Sequence, residues 1–380
     1  IIQKLISNIG ISEKKGMIIA SPSHNPPYRF HWVRDASIVM RVIIDLYKKE
    51  KNNKYLKILL NYVENCDLVQ NIDTMSGLGE PKVNIDGTAY NEPWGRPQND
   101  GPALRGLNMI TIFKLFKNDY SNICEKIIIP ILQRDLNYVL ENYNKVSYDL
   151  WEEIVGWHFY TRVVQLKFIK EISNNYDILK NSLNIPNDLD KKFVDLQTNL
   201  LHHKTNDSII SSFNLEGDIV RMDDASILLA LCHIDFDLSI IKLFECKRFL
   251  KVCLNLESYF KSKYNNDDLC LVGRYSNDAY YDGQVWIICS LALAQSYLFF
   301  NYIDNYEYLY FKGKNILNTI LELRDDLDLA EQYNPNTYEF LSAKTLTWNY
   351  AELYFTIIWL IKIYLINQNL NDLNIKKKYY

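Results

Sequence analysis

The chain has 380 residues, 48% of them hydrophobic and 23% charged, with a formal net charge of -4. Such length and apolar content allow a large buried core, and the charge balance argues against a nucleic-acid binder or a protein held to anionic membranes. Tyr is abundant at 28 residues, with 7 Trp; their faces suit either core packing or flat ligands such as sugar rings.

The seven cysteines are Cys66, Cys124, Cys232, Cys246, Cys253, Cys270 and Cys289. Their number is odd and no C-x-x-C pair occurs, so neither a disulfide framework nor a zinc knuckle is signalled. Buried thiols are expected, with one pairing among the last five left open. His202-His203 lacks the spacing of a metal-binding helix, and no metal or cofactor is expected. The chain starts at Ile1 rather than Met, which reads as a fragment or a processed form. The sequon Asn206-Asp207-Ser208 leans toward a secreted or vacuolar/lysosomal location. Apolar runs at 285–300 and 353–361 fall short of the roughly 20 residues of a spanning helix. Buried helices and no membrane span are expected.

Helical periodicity dominates. Asp35-Ala36-Ser37 leads into Ile38, Val42 and Leu46 on one face, and residues 55–63 carry another apolar stripe. Leu104, Leu107 and Leu115 follow Pro102, and residues 127–143 and 226–231 behave alike. Strand alternation is scarce. Pro and Gly gather in loops at 21–28, 76–102 and 272–283. Polar, aromatic-rich stretches recur, beginning at Trp32, Trp94, Asp149, Asp223, Arg274 and Glu331. Each interval has room for two helices and their loops. Six helical hairpins, each sending one loop to a common end, predict an all-α fold, an (α/α)6 barrel. Its inner helices would be apolar nearly all round.

The stretch Tyr148-Asp149-Leu150-Trp151-Glu152-Glu153 sets two carboxylates among aromatics. A carboxyl against ring faces loses hydration and is expected to stay protonated near neutral pH, as a general acid requires. A solvated Glu pair at a helix end is the plainer alternative. Glu331-Gln332-Tyr333 supplies a second carboxylate, and acetal hydrolysis needs a proton donor and a second acid. Arg34-Asp35, beside Trp32 and Tyr28, suits either the hydroxyls of a polyol or an ion pair capping the following helix. Trp94 suits either a ligand face or the core.

Longer motifs run from end to end: Ala20-Ser21-Pro22-Ser23, Trp32-Val33-Arg34-Asp35-Ala36, Gly77-Leu78-Gly79-Glu80-Pro81-Lys82, and Trp94-Gly95-Arg96-Pro97-Gln98-Asn99-Asp100-Gly101-Pro102. Tyr148 to Glu153, Gly273-Arg274-Tyr275, Ala330-Glu331-Gln332-Tyr333 and Leu346-Thr347-Trp348 continue them. With these motifs the chain resembles glycoside hydrolase family 15, the glucoamylases.

The resemblance implies one catalytic barrel over residues 1–380, with a truncated N-terminus and no starch-binding domain. It implies exo-hydrolysis of terminal α-1,4, and more slowly α-1,6, bonds of starch, glycogen or malto-oligosaccharides, releasing β-D-glucose with inversion. Glu152 takes the general acid's place, desolvated by Trp151 and Trp94, and Glu331 that of an ionised general base. Arg34 and Asp35 match the clamp on the terminal glucose, and Tyr28 and Gln332 match neighbours of the attacking water. Trp94 matches the ring beside the acid, and Ser342 a hydroxyl near the base. Asp149, Glu153 and Arg274 match polar residues of the first subsites. Trp32, Trp151, Tyr280 and Trp348 complete the expected substrate-binding set. The implied partner is an α-glucan, with no nucleic acid and a monomeric state.

Ser276-Asn277-Asp278 stands where the family has Pro-Glu-Asp, Gly283-Gln284-Val285-Trp286 where it has Gly-Asn-Pro-Trp, and Lys344-Thr345 where it has Arg-Asp. These departures leave open a related α-glucosidase of trehalase or dextranase type. A non-catalytic, glucan-binding regulatory domain is the other alternative.

Overall fold

The computed structural model describes residues 1–10, 14–304 and 306–378, by backbone alone beyond 366. The helix Val33–Glu50 starts where Trp32 is extended, carries Asp35 in its first turn and Lys48 and Lys49 in its last, and stops at left-handed Lys51. Those charges complement the helix dipole. Asn52 then caps Asn53–Gln70 through Lys54 N, so the chain reverses within a few residues. Asp224 caps Ala225–His233 in the same way, and Pro102 opens Gly101–Phe116, where its missing N–H costs nothing.

Burial sorts the helices into two layers. In Ile287–Asp304 every residue from 287 to 301 is buried, whereas Asn53–Gln70 buries mainly Tyr55, Leu59, Tyr62, Val63, Cys66 and Val69 along one stripe. The first pattern belongs to a helix surrounded by protein, the second to an outer helix. Val33–Glu50, Gly101–Phe116, Phe159–Asn174, Ala225–His233, Ile287–Asp304 and Thr347–Lys378 pack each on the next, and the last returns to the first. This closed inner ring is wrapped by Asn53–Gln70, Ile129–Asn142, Leu189–Leu201, Cys246–Tyr264 and Glu307–Glu322, with the short Ile2–Ser7 against Thr347–Lys378. The architecture is the (α/α)6 barrel.

Each inner helix is entered from one of the polar stretches, and short strands fix those entries. Phe30–Trp32 pairs antiparallel with Lys82–Asn84. Ser147–Tyr148, Val155–His158, Ile210–Phe213 and Ile219–Met222 form a second sheet, and Val285–Trp286, Gln332–Tyr333 and Phe340–Leu341 a third. Strands of two to four residues are too short to show alternation, which is why the sequence hides them.

One expectation changes. Ile287–Asp304 and Thr347–Ile366 form longer apolar helices than the sequence runs suggested, and by length and composition both could cross a membrane. The first is 83% buried within the barrel; the second is 44% buried, enclosed in its first turns and exposed at Ile361, Tyr364 and Leu365. The cysteine expectation holds: all seven are free thiols, five of them buried, and the pairing left open among the last five is not made.

Candidate active site

The loop 149–154 holds Glu152 in a left-handed backbone conformation, φ 67°. A non-glycine residue there costs free energy and persists only when its surroundings over-determine it. Asp149 does so. Its Oδ1 accepts from the N–H groups of Glu153 at 2.7 Å and Ile154 at 3.0 Å. Its backbone carbonyl accepts from Glu152 N at 3.0 Å, and its Oδ2 meets Arg221 Nη1 at 2.7 Å. The loop packs on Gly95, where an added Cβ would lie 2.9 Å from the Tyr148 ring and 3.1 Å from the Glu152 carbonyl.

Three N–H donors converge on the Glu152 carboxyl. Trp32 Nε1 and Gln98 Nε2 donate to Oε1 at 2.8 and 2.9 Å, and Trp94 Nε1 donates to Oε2 at 2.8 Å. Arg34 Nη2 stands 3.6 Å from Oε1. Ring edges thus donate to a carboxyl that is itself largely out of solvent, where ring faces alone were expected. Trp151 takes no part in this donation, because its Nε1 donates to Asp224. The neighbouring carboxylates are neutralised: Glu153 pairs with Arg274 at 2.7 Å and Arg221 at 2.8 Å.

Glu331 has the opposite surroundings. It is 2% exposed, and hydroxyls are its donors: Tyr28 to Oε1 at 3.0 Å, and Ser342, itself left-handed at φ 64°, to Oε2. Burial pushes the carboxyl up to about 7, against the pull of those hydroxyls and of Arg274. A carboxyl poised near neutrality is chemically suited to exchanging a proton with water.

Both acids line one hollow of about 410 Å³, with Tyr28, Trp32, Arg34, Asp35, Trp94, Trp151, Glu153, Arg274, Tyr280 and Trp348 on its wall. That volume lies in the range of small-molecule sites. Of the expected set, Asp149 and Gln332 are absent from the wall: Asp149 is buried behind the acid loop, and Gln332 is fully buried in its strand. Arg34 donates to Gln98 Oε1 at 2.7 Å and pairs with Asp35 at 3.4 Å and Asp100 at 3.5 Å. Burial pushes Asp35 up to about 7, with Arg34 opposing. Arg34 Nε, Asp35 Oδ2 and Trp348 Nε1 are buried without hydrogen-bond partners among the described residues. Arg34 Nε and Asp35 Oδ2 face each other in the 3.4 Å ion pair, and polar groups of this kind beside rings suit the hydroxyls and flat faces of a sugar.

Sequence reasoning gave no role to Gln98, Lys82 or Arg221. Arg221 bonds Asp149 and Glu153 and stacks 3.6 Å from the Tyr275 ring; nothing in Ile219-Val220-Arg221-Met222 announces this. Gln98 and Lys82 lie inside the quoted motifs, so those motifs were the available signal. Among the departures, Asp278 still takes Arg274 in two parallel bonds at 2.7 and 2.6 Å.

A closed ring of helical hairpins, with two differently dressed carboxyls in a ring-lined hollow at its loop end, defines the class of α/α-barrel glycosidases. Residues 2–307 match the model of glycosyl hydrolases family 15. The chain belongs to that family. It is 31% identical over 330 residues to glucoamylase-1 of Arthroderma benhamiae, covering 77% of this chain and 51% of that one. To glucoamylase-1 of Schizophyllum commune it is 28% identical over 380 residues, covering 93% and 64%. The chain thus spans about half to two thirds of the length of those curated relatives. The glucoamylase structure from Saccharomycopsis fibuligera shares the fold with a TM-score of 0.83, at 24% identity, covering 95% of this chain and 93% of that one.

Proposed function

We propose that the protein is an inverting, exo-acting glucoamylase. It removes terminal glucose from starch, glycogen or malto-oligosaccharides at α-1,4 bonds, more slowly at α-1,6 bonds, and releases β-D-glucose. The observation that carries this reading is that Glu152 and Glu331 line one ring-walled hollow in a chain of glycosyl hydrolases family 15.

In this reading Glu152 gives its proton to the glycosidic oxygen as the bond to the anomeric carbon breaks. The negative charge left on Glu152 falls onto the Trp32, Trp94 and Gln98 N–H groups and the nearby Arg34, donors already in place before the charge appears. Glu331 takes a proton from a water attacking the opposite face, with Tyr28 and Ser342 orienting its oxygens. Arg34 and Asp35 hold hydroxyls of the terminal sugar, and Trp348 stacks beneath them. The glucoamylase names of the relatives support an α-glucan as the substrate.

The test is proton NMR of maltose or maltotriose during turnover. β-Glucose should appear first, and Glu152→Gln should lower kcat by orders of magnitude. Initial α-glucose would replace inversion by retention. Full activity in Glu152→Gln would remove the acid, and a protein that binds glucan but releases no glucose would be a regulatory domain instead.

A further inference from the structure

Lys82 lies directly across the strand pair from Trp32 and is 1% exposed. Its ammonium is boxed by four rings. Nζ stands 3.0 Å from the centroid of Trp94, 4.2 Å from Tyr90, 4.4 Å from Trp32 and 4.5 Å from Phe30. The rings brace each other edge to face, with Phe30–Tyr90 at 5.0 Å, Phe30–Trp32 at 5.7 Å, Tyr90–Trp94 at 6.0 Å and Trp32–Trp94 at 6.1 Å. Among the described residues no carboxylate forms an ion pair with this ammonium; Glu80, two residues away, is taken by Arg96 at 2.8 Å. Burying a lysine without a paired acid is expensive, and the ring faces together with the fields of Glu152 and Glu80 offset it.

Two of the four rings are those whose N–H groups hold the two oxygens of Glu152. We propose that Lys82 is a positioning residue for hydrolysis: its ammonium clamps Trp32 and Trp94 by their faces and thereby fixes both indole N–H groups on Glu152. The inference rests on Glu152 being the proton donor. A cation on an indole face draws density from the ring and makes its N–H a stronger donor. That strengthening matters most when Glu152 has given up its proton and carries charge, so it acts on the transition state more than on substrate binding. Burial holds the ammonium down to about 7, with Glu152 opposing, Arg96 reinforcing and Glu80 opposing. The clamp therefore loses its charge as the pH rises through neutrality, whereas an arginine would keep it.

The experiment compares Lys82→Met and Lys82→Arg with wild type on maltotriose, together with the indole N–H resonances of Trp32 and Trp94 in the substrate-free protein. Lys82→Met should lose about 30-fold in kcat, the factor for a desolvated cation–π contact, with KM little changed. Lys82→Arg should recover most of kcat and hold it to higher pH. Both indole signals should shift in Lys82→Met. If Lys82→Met does not fold, the wild-type titration decides: the two indole signals should move together near neutral pH and stop doing so in Lys82→Arg. Wild-type kcat in Lys82→Met, equal losses in both variants with unmoved indole signals, or indole signals that do not titrate would each overturn the clamp. The indole signals are read without substrate, so they report on the clamp even if Glu152→Gln stays active and the hydrolytic reading falls.

Discussion

Trp32 Nε1 donates to Glu152 Oε1 at 2.8 Å across 120 residues of chain. The Trp32 ring also lies 5.6 Å from that of Tyr28, whose hydroxyl reaches Glu331. One stretch of the first loop thus touches both acids, and the two carboxyls are linked through packed rings rather than through a shared hydrogen bond.

Trp32→Phe removes the N–H donor together with part of the ring, leaving a phenyl face in its place. A hydrogen bond to a charged group contributes about 1.5–3 kcal/mol, so kcat on maltose should fall roughly 10- to 100-fold, with KM near wild type. Initial-rate glucose assays check this. A loss confined to KM would place the ring, and not its N–H, at the centre of its role.

Asp149→Ala should destabilise the fold by about 3 kcal/mol, because it strips one partner from a buried ion pair and uncaps two backbone N–H groups. With the cap gone, the left-handed Glu152 is no longer held and kcat should fall as well. Thermal melts and rates on the same preparation measure both. An unchanged Tm would show that Arg221 finds full compensation from Glu153 and Asp224.

The pH behaviour follows from Glu331, raised by burial from 4.5 to about 7. Its folded value lies above its unfolded one, so the folded state keeps a proton that the unfolded chain releases between those values. Stability from this group is full below about pH 4.5 and is lost as the pH rises through about 7. Asp35, raised from 3.8 to about 7 by burial, acts in the same direction. Denaturant midpoints should fall from pH 5 to pH 8, with a shallower fall in Glu331→Gln. With Glu331 as the proposed base, activity runs the other way on its acid limb, since that carboxyl must be ionised. Ser342→Ala removes a hydroxyl that lowers Glu331, so the acid limb of kcat/KM should move to higher pH; a shift to lower pH would exclude Glu331 as the group seen.

Gly95→Ala puts a methyl 2.9 Å from the Tyr148 ring and 3.1 Å from the Glu152 carbonyl. Overpacking of this kind costs about 1–3 kcal/mol, and here the yielding element is the acid loop. Lower kcat with a modest drop in Tm is expected. Wild-type turnover would mean that Tyr148 alone gives way.

The barrel itself was legible in the chain, and the chain also pointed to Glu152 and Glu331, two carboxyls that the fold brings to one hollow. A carboxyl pair beside Trp151, a second acid in Glu331-Gln332-Tyr333 and helical periodicity are local signals, written in neighbouring residues or at i+3 and i+4 spacing. Six polar stretches at domain-scale intervals then fixed the number of hairpins. Which flanking residues face the hollow was decided only by packing. Glu153 reaches it while Asp149 turns back to hold the loop, and Gln332 stays inside its strand. Arg221 takes its partners from the loop that carries Asp149 and Glu153, and Lys82 meets Trp32 across a strand pair. Cross-strand register and ring-to-ring contact are set by how distant loops meet over the ends of the inner helices, and no spacing along the chain encodes that meeting.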